Sequence, residues 1–136
     1  MKIAPYLNFG GNCKEAFALY ERVLGGKIDM MMTHGESPMA DQMGPQMRDK
    51  IMHAHMKIGE QSIMGSDAPP QMMQKPQGFF VSLEIAAPEE AERVFKALSE
   101  GGAVVMPMEE TFWAKKFGMA VDRFGTPWMI NCSKPM

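Results

Sequence analysis

Two imidazoles stand two residues apart in Ile51 to Ile58, "IMHAHMKI". On a strand, residues i and i+2 share a face, so His53 and His55 would project side by side. Such a pair could hold a metal ion or serve as acid and base, or it could simply pack at a surface or interface. No third ligand lies nearby in sequence, and Lys57 continues the same face. Ser82 and Glu84 share a face with Phe80, and Glu84 could act as a general base or be an exposed strand-end carboxylate. Cys13, near a helix start, could have a lowered thiol pKa, although no sequence feature supplies its base. Trp113 could stack on a ligand or anchor a dimer. Asp122 with Gly125, and Asp67 before Ala68-Pro69-Pro70, read as turn chemistry.

The elements that must position these groups follow from periodicity. Ile3 to Phe9 alternates as a strand should, and Gly10-Gly11 breaks it. Asn12 followed by Glu15 has the spacing of a capping box. Phe17, Tyr20, Val23 and Leu24 form an apolar helical stripe that Gly25-Gly26 stops. Lys27 to His34, Ile51 to Ile58 and Gln61 to Ser66 read as strands. A second set follows, with a strand over Phe79 to Ile85. A helix then opens at Pro88 and carries Ala91, Val94, Phe95 and Leu98, with Gly101-Gly102 as its stop. A strand over Ala103 to Met108 and a closing hairpin within "FGMAVDRFGTPWMINC" complete the set. Laying one half on the other puts Ala16 on Ala91, Tyr20 on Phe95, Val23 on Leu98 and Pro5 on Phe80. An internal repeat explains the agreement. The order is strand, helix, three strands, twice over, which is an α+β chain. Helices can cover only one face of each sheet. The remaining faces are expected to curve around a groove, the default place for a ligand.

Bulk properties narrow the function. The chain has 136 residues, 14 basic and 16 acidic side chains and a formal charge of −2. Such a balance argues against nucleic acid as a partner. No apolar run approaches the roughly 20 residues that span a bilayer, and the start lacks the pattern of a signal peptide. The expected compartment is the cytoplasm, with Cys13 and Cys132 as free thiols. Methionine is the outlier, at 17 residues, and fills either core space or an adaptable apolar pocket. Met39, Met43, Met47, Met72 and Met73, in two irregular stretches, are candidate lids over a groove.

Beyond these patterns, the segments "PYLNFGGNCKEAFALYERVLGG", "IMHAHMKIG", "IMGSDA" and "ETFWAKKFGMAVDRFGTPWMIN" resemble the PhnB-like branch of the vicinal oxygen chelate superfamily. That superfamily includes glyoxalase I, ring-cleaving dioxygenases and bleomycin-resistance proteins. This branch often carries the label demethylubiquinone methyltransferase. The resemblance implies one domain over 1–136, with βαβββ modules at about 1–67 and 78–133, and a curved sheet around a groove. It also implies where the superfamily's metal ligands would stand: Pro5, near Met64, Phe80 and Met129. None of these side chains is a hard-metal donor, so no metal and no cofactor are expected, and no catalytic residue is assigned. The methyltransferase label lacks its loop, because "NFGGNC" holds only adjacent glycines. Relatives have Gly-Asp-Arg where this chain has Ala114, Lys115 and Lys116.

The resulting expectation is a metal-independent protein that binds an apolar or aromatic small molecule through Phe80, Ser82, Trp113, Met129 and His53, and that pairs as a homodimer. One alternative is a lyase, isomerase or dioxygenase-like enzyme with a relocated metal on His53 and His55. Another is a dimeric module with no ligand.

Overall fold

The computed structural model of the chain describes residues 1–38 and 44–135. The chain divides into two compact units, Met1–Gln74 and Lys75–Met136. Each is a four-stranded mixed sheet with one helix packed on one face.

In the first unit the strands are β1 (Tyr6–Phe9), β2 (Lys27–Thr33), β3 (Ile51–Ile58) and β4 (Gln61–Asp67), in spatial order β1-β4-β3-β2. β1 runs parallel to β4, and the other pairs are antiparallel. Helix α1 (Cys13–Leu24) turns Ala16, Phe17, Tyr20 and Val23 onto the sheet, where Leu7, Phe9, Ala54, Met56 and Ile63 meet them. Phe9, Phe17 and Tyr20 form a ring cluster with centroids 6.0 to 6.4 Å apart. Gly65 is required at its place in β4. A Cβ there would stand 2.8 Å from both the Leu7 carbonyl oxygen and the Phe17 ring. His34, read as the end of a strand, instead opens a short 3-10 turn whose capping box is Thr33 and Glu36.

Asn12 stands at the start of α1 but makes no side-chain cap. Asp67 does that work from the far end of the unit. Its Oδ1 accepts from the Gly11 and Cys13 N–H groups at 2.9 and 3.0 Å, and its Oδ2 accepts from the Ile51 N–H at 2.9 Å. Asp67 is therefore not a turn residue. It is the last residue of β4, and it is buried. An anionic oxygen there also complements the positive end of the helix.

The second unit repeats the pattern with β5 (Val81–Glu84), α2 (Pro88–Ser99), β6 (Ala103–Glu109), β7 (Ala114–Val121) and β8 (Pro127–Ser133), in spatial order β5-β8-β7-β6. β5 is parallel to β8, and the others are antiparallel. Ala91, Val94, Phe95 and Leu98 of α2 are buried, as are Ala120, Trp128, Ile130 and Cys132 of the sheet. Gly118 again admits a helix aromatic, since a Cβ would meet the Phe95 ring at 2.8 Å. Asp122 ties the closing hairpin: Oδ1 accepts from the Phe124 and Thr126 N–H groups, and Oδ2 accepts from the Trp128 indole at 2.8 Å.

The sequence overlay of the two halves holds for the helices and slips on the first strands. The spacing that superposes Ala16 on Ala91 puts buried Leu7 on exposed Ser82. The strand expected over Phe79–Ile85 spans only Val81–Glu84, so Phe80 precedes it. Met47, expected as a lid, is buried in a 3-10 turn. Met72 is exposed, and Met39 and Met43 lie outside the described residues. Among the described residues no helix is long and apolar enough to cross a membrane.

Candidate functional site

In the second unit, the sheet face away from α2 presents two rows of side chains. Strand pairing places Ser82, Met129, Met119 and Met106 in one row across the four strands. Glu84, Asn131, Phe117 and Glu109 form the next. Trp113, just before β7, completes this face. Thr111 Oγ1 accepts from the Trp113 and Ala114 N–H groups, and the Trp113 carbonyl accepts from the Lys134 N–H. This tight turn swings the indole over the sheet. Its ring meets Phe117 edge-on at 5.2 Å and Phe112 at 4.9 Å, and its Nε1–H donates to Asn131 Oδ1 at 3.0 Å.

Asn131 is the hub of a polar network. Its Nδ2 donates to Glu84 Oε1 and to Ser133 Oγ, each at 2.8 Å. Glu84 also accepts from the Ser133 hydroxyl at 3.0 Å and from the Ser133 N–H at 2.9 Å. These donors, Asn131 foremost, hold the Glu84 carboxyl below the usual glutamate range. A general base needs lone pairs to spare and a pKa near working pH. Glu84 fails on the second count, since its carboxyl is held low, and its bonds to Asn131 and Ser133 orient that amide. Trp113 is 43% exposed, Phe112 89% and Phe80 38%. A rigid indole, two further rings, flexible thioethers and an oriented amide suit a flat apolar compound with one polar edge.

Lys116 pairs with Glu92 of α2 at 3.0 Å, and Ala114 is buried. Neither serves the open face.

Of the residues picked from sequence, Ser82 and Met129 are direct cross-strand neighbours, and Trp113 stands over the next row. His53 belongs to the first unit, on the sheet face away from α1. Its Nδ1 is 3.1 Å from the Tyr6 hydroxyl and the two rings stack at 5.7 Å. His55 lies on the same face with Nδ1 2.6 Å from Asp29 Oδ1. That bond, chiefly, draws the Asp29 carboxyl below its ordinary range. The two imidazoles thus have separate partners. Asn131, Phe117, Tyr6 and Asp29 were not singled out from sequence. The available signal was that Trp113 needs an acceptor and that Asn131 follows Met129 by two on one strand.

Cys13 is fully buried. Burial first, then the Asp67 and Glu15 charges, push its thiol up to about 12. Cys132 is also buried, with its thiol directed at the Ala86 carbonyl.

Comparison with known proteins places this geometry. A family model described as 3-demethylubiquinone-9 3-methyltransferase matches residues 1–131. Protein YjdN of Escherichia coli is 40% identical over 98% of this chain and 97% of its own. The crystal structure of protein PA1353 from Pseudomonas aeruginosa has a TM-score of 0.91 at 45% identity, covering 99% of both chains. The fosfomycin resistance protein FosX of Listeria monocytogenes, a vicinal oxygen chelate protein whose structure holds Mn(II), reaches a TM-score of 0.68 at 8% identity. That match covers 98% of this chain and 93% of FosX. It establishes the vicinal oxygen chelate fold. The hard-metal donor set expected of that fold does not fit here. The positions that the resemblance assigns to it, Pro5, near Met64, Phe80 and Met129, carry no oxygen or imidazole side chain, and among the described residues no three His, Cys, Asp or Glu side chains gather.

Proposed function

The chain belongs to the family described as 3-demethylubiquinone-9 3-methyltransferase, and from that premise we propose that it binds a flat apolar or aromatic small molecule without a hard metal ion. The supporting observation is the cluster of Trp113, Phe117 and Phe112 around an Asn131 amide already fixed by Glu84 and Ser133. The ligand stacks on the indole, meets Met129, Ser82 and Phe80 along the strand ends, and exchanges a hydrogen bond with the Asn131 amide. His53, with Tyr6, presents a second, smaller stacking surface in the first unit.

Methyl transfer from a nucleoside-bearing donor finds no support in the glycine pair after β1. A helix N-terminus free to receive such a group would serve it. Here the Gly11 and Cys13 N–H groups are already donated to Asp67.

The chain is further proposed to act as a homodimer in the cytoplasm. β6 presents Val104, Val105 and Met106 to solvent at a sheet edge, and such an apolar edge invites a second copy. Light scattering on the purified chain tests this, with a monomer mass as the contrary result.

The ligand proposal is tested by titrating anilinonaphthalene sulfonate, a flat aromatic probe, in the presence of EDTA. Tryptophan quenching reports occupancy, and Trp113→Phe gives the share that comes from the buried Trp128. Saturable quenching that disappears in Phe117→Ala and Asn131→Ala supports the reading. Binding that requires a divalent ion, or that ignores both substitutions, contradicts it.

A further inference from the structure

The open face of the first unit carries a different set of donors. In strand register, Met30 of β2 opposes His55 of β3, and His55 opposes Met64 of β4. Directly opposed residues on one face stand roughly 4.5–5.5 Å apart at Cβ. A thioether, an imidazole and a thioether therefore line up across three adjacent strands. Met32 opposes His53 in the neighbouring row.

A β-bulge sharpens the arrangement. The ladder shifts between Ile28 and Met30, so Asp29 is the extra residue and both it and Met30 face His55. Asp29 Oδ1 lies 2.6 Å from His55 Nδ1, which places a proton on Nδ1 and leaves the Nε2 lone pair to accept. A carboxylate behind an imidazole is the arrangement that orients metal-binding histidines. The Lys57 ammonium, 3.9 Å from Asp29 Oδ2, faces the same carboxylate.

From this register and bulge we propose that the face binds a soft monovalent cation, Cu(I), through Met30 Sδ, His55 Nε2 and Met64 Sδ. Thioether donors select soft ions and imidazole suits copper, whereas Mg2+, Ca2+ and Mn2+ want oxygen. The row supplies no free oxygen anion, since Asp29 is engaged by His55 and Lys57. Entry is open, because Met30 is 41% exposed. The three rotatable bonds of each Met allow its sulfur to close on the ion. All three donors come from the first unit.

The test is competition for Cu(I), held reduced by ascorbate, against the coloured chelator bicinchoninate. The wild-type chain withdraws a single equivalent. The Met30→Leu, Met64→Leu double variant withdraws none, and Asp29→Asn lowers affinity roughly tenfold by loosening His55. Copper that stays with the double variant, on the cysteines for example, overturns the proposal, as does a wild type that withdraws none. Should the double variant fail to fold, Ag(I) is titrated into wild type labelled at its methionine methyls. Shifts at Met30 and Met64 support the site, and shifts elsewhere or none overturn it. Trp113 quenching by anilinonaphthalene sulfonate in the same samples gives the ligand proposal a signal of its own, so either proposal can fail alone.

Discussion

Across the open face of the first unit run Tyr6, Met64, His55 and Met30, and across that of the second run Ser82, Met129, Met119 and Met106. The β-ladders that hang these side chains are alike, down to the parallel pairing of first and last strands. The difference is at the centre. The first unit places His55 between two thioethers and braces it with Asp29. The second replaces the imidazole with Met119 and moves its polarity to a separate Glu84–Asn131–Ser133 network beneath an indole. One repeated scaffold thus carries one face with a braced imidazole between two thioethers and one face with thioethers, rings and an amide. The comparison teaches that, in this fold, the backbone fixes where side chains point and not what they bind.

The comparison can be broken first at the aspartates that hold each unit together. Asp67→Ala leaves three backbone N–H groups of the first unit without their acceptor. It is expected to cost about 4 kcal/mol, given about 1–3 kcal/mol for each buried donor left unsatisfied. Asp122→Ala removes the acceptor that two N–H groups and the Trp128 indole share, and a loss of about 3 kcal/mol is expected by the same reasoning. Urea unfolding measures both. Losses below about 1 kcal/mol would show that these carboxylates do not staple their units.

Next in size come the glycines beneath the helix aromatics. Gly65→Val and Gly118→Val each drive a side chain into a ring, Phe17 or Phe95. Each is expected to destabilise by about 2 kcal/mol, within the range for overpacking. Matching losses would show that the two helices rest on their sheets in the same way, whereas a neutral effect at one position alone would break the symmetry.

The helix stripes and the doubled order of elements were legible in the sequence because they depend on periodicity within a segment. Ala16, Phe17, Tyr20 and Val23 in α1, and Ala91, Val94, Phe95 and Leu98 in α2, are buried as their spacing requires. What was illegible depends on partners distant in sequence. Asn12 has the type and spacing of a cap, yet the acceptor is Asp67, which reaches Gly11 and Cys13 only after β4 has paired with β1. Asp29 reads as an ordinary strand residue until the bulge in β2 brings it to His55. The Trp113–Asn131 bond likewise needs the β7–β8 hairpin to form first. Trp113, Ser82 and Met129 were nameable because resemblance and alternation point to them. The Asn131 network that holds the Trp113 indole was not.

Smaller effects sharpen the contrast between faces. Trp113→Ala removes a half-exposed ring, so stability should change by less than about 1 kcal/mol, while anilinonaphthalene sulfonate binding falls about tenfold. A stability loss as large as that of Asp122→Ala would recast Trp113 as a core residue.

Acid should affect the second face through Glu84. Its native pKa is depressed, so its stabilising bonds are intact above the ordinary glutamate value. They are lost as pH falls from that value through the lower native one. Trp113 fluorescence should therefore hold steady down to the ordinary glutamate range and change below it, and Glu84→Gln should flatten the change. A transition centred near neutral pH would contradict this. Cys13, with its thiol at about 12, should resist iodoacetamide at pH 8 in the native chain and react only on unfolding.

The most direct test of metal-free ligand binding is nuclear magnetic resonance of the chain with anilinonaphthalene sulfonate and EDTA together. The expected result is a saturable shift of the Trp113 indole N–H and the Asn131 side-chain amide, with the buried Trp128 indole unmoved. Shifts that appear only when a divalent ion is restored, or that leave both groups untouched, would contradict the account.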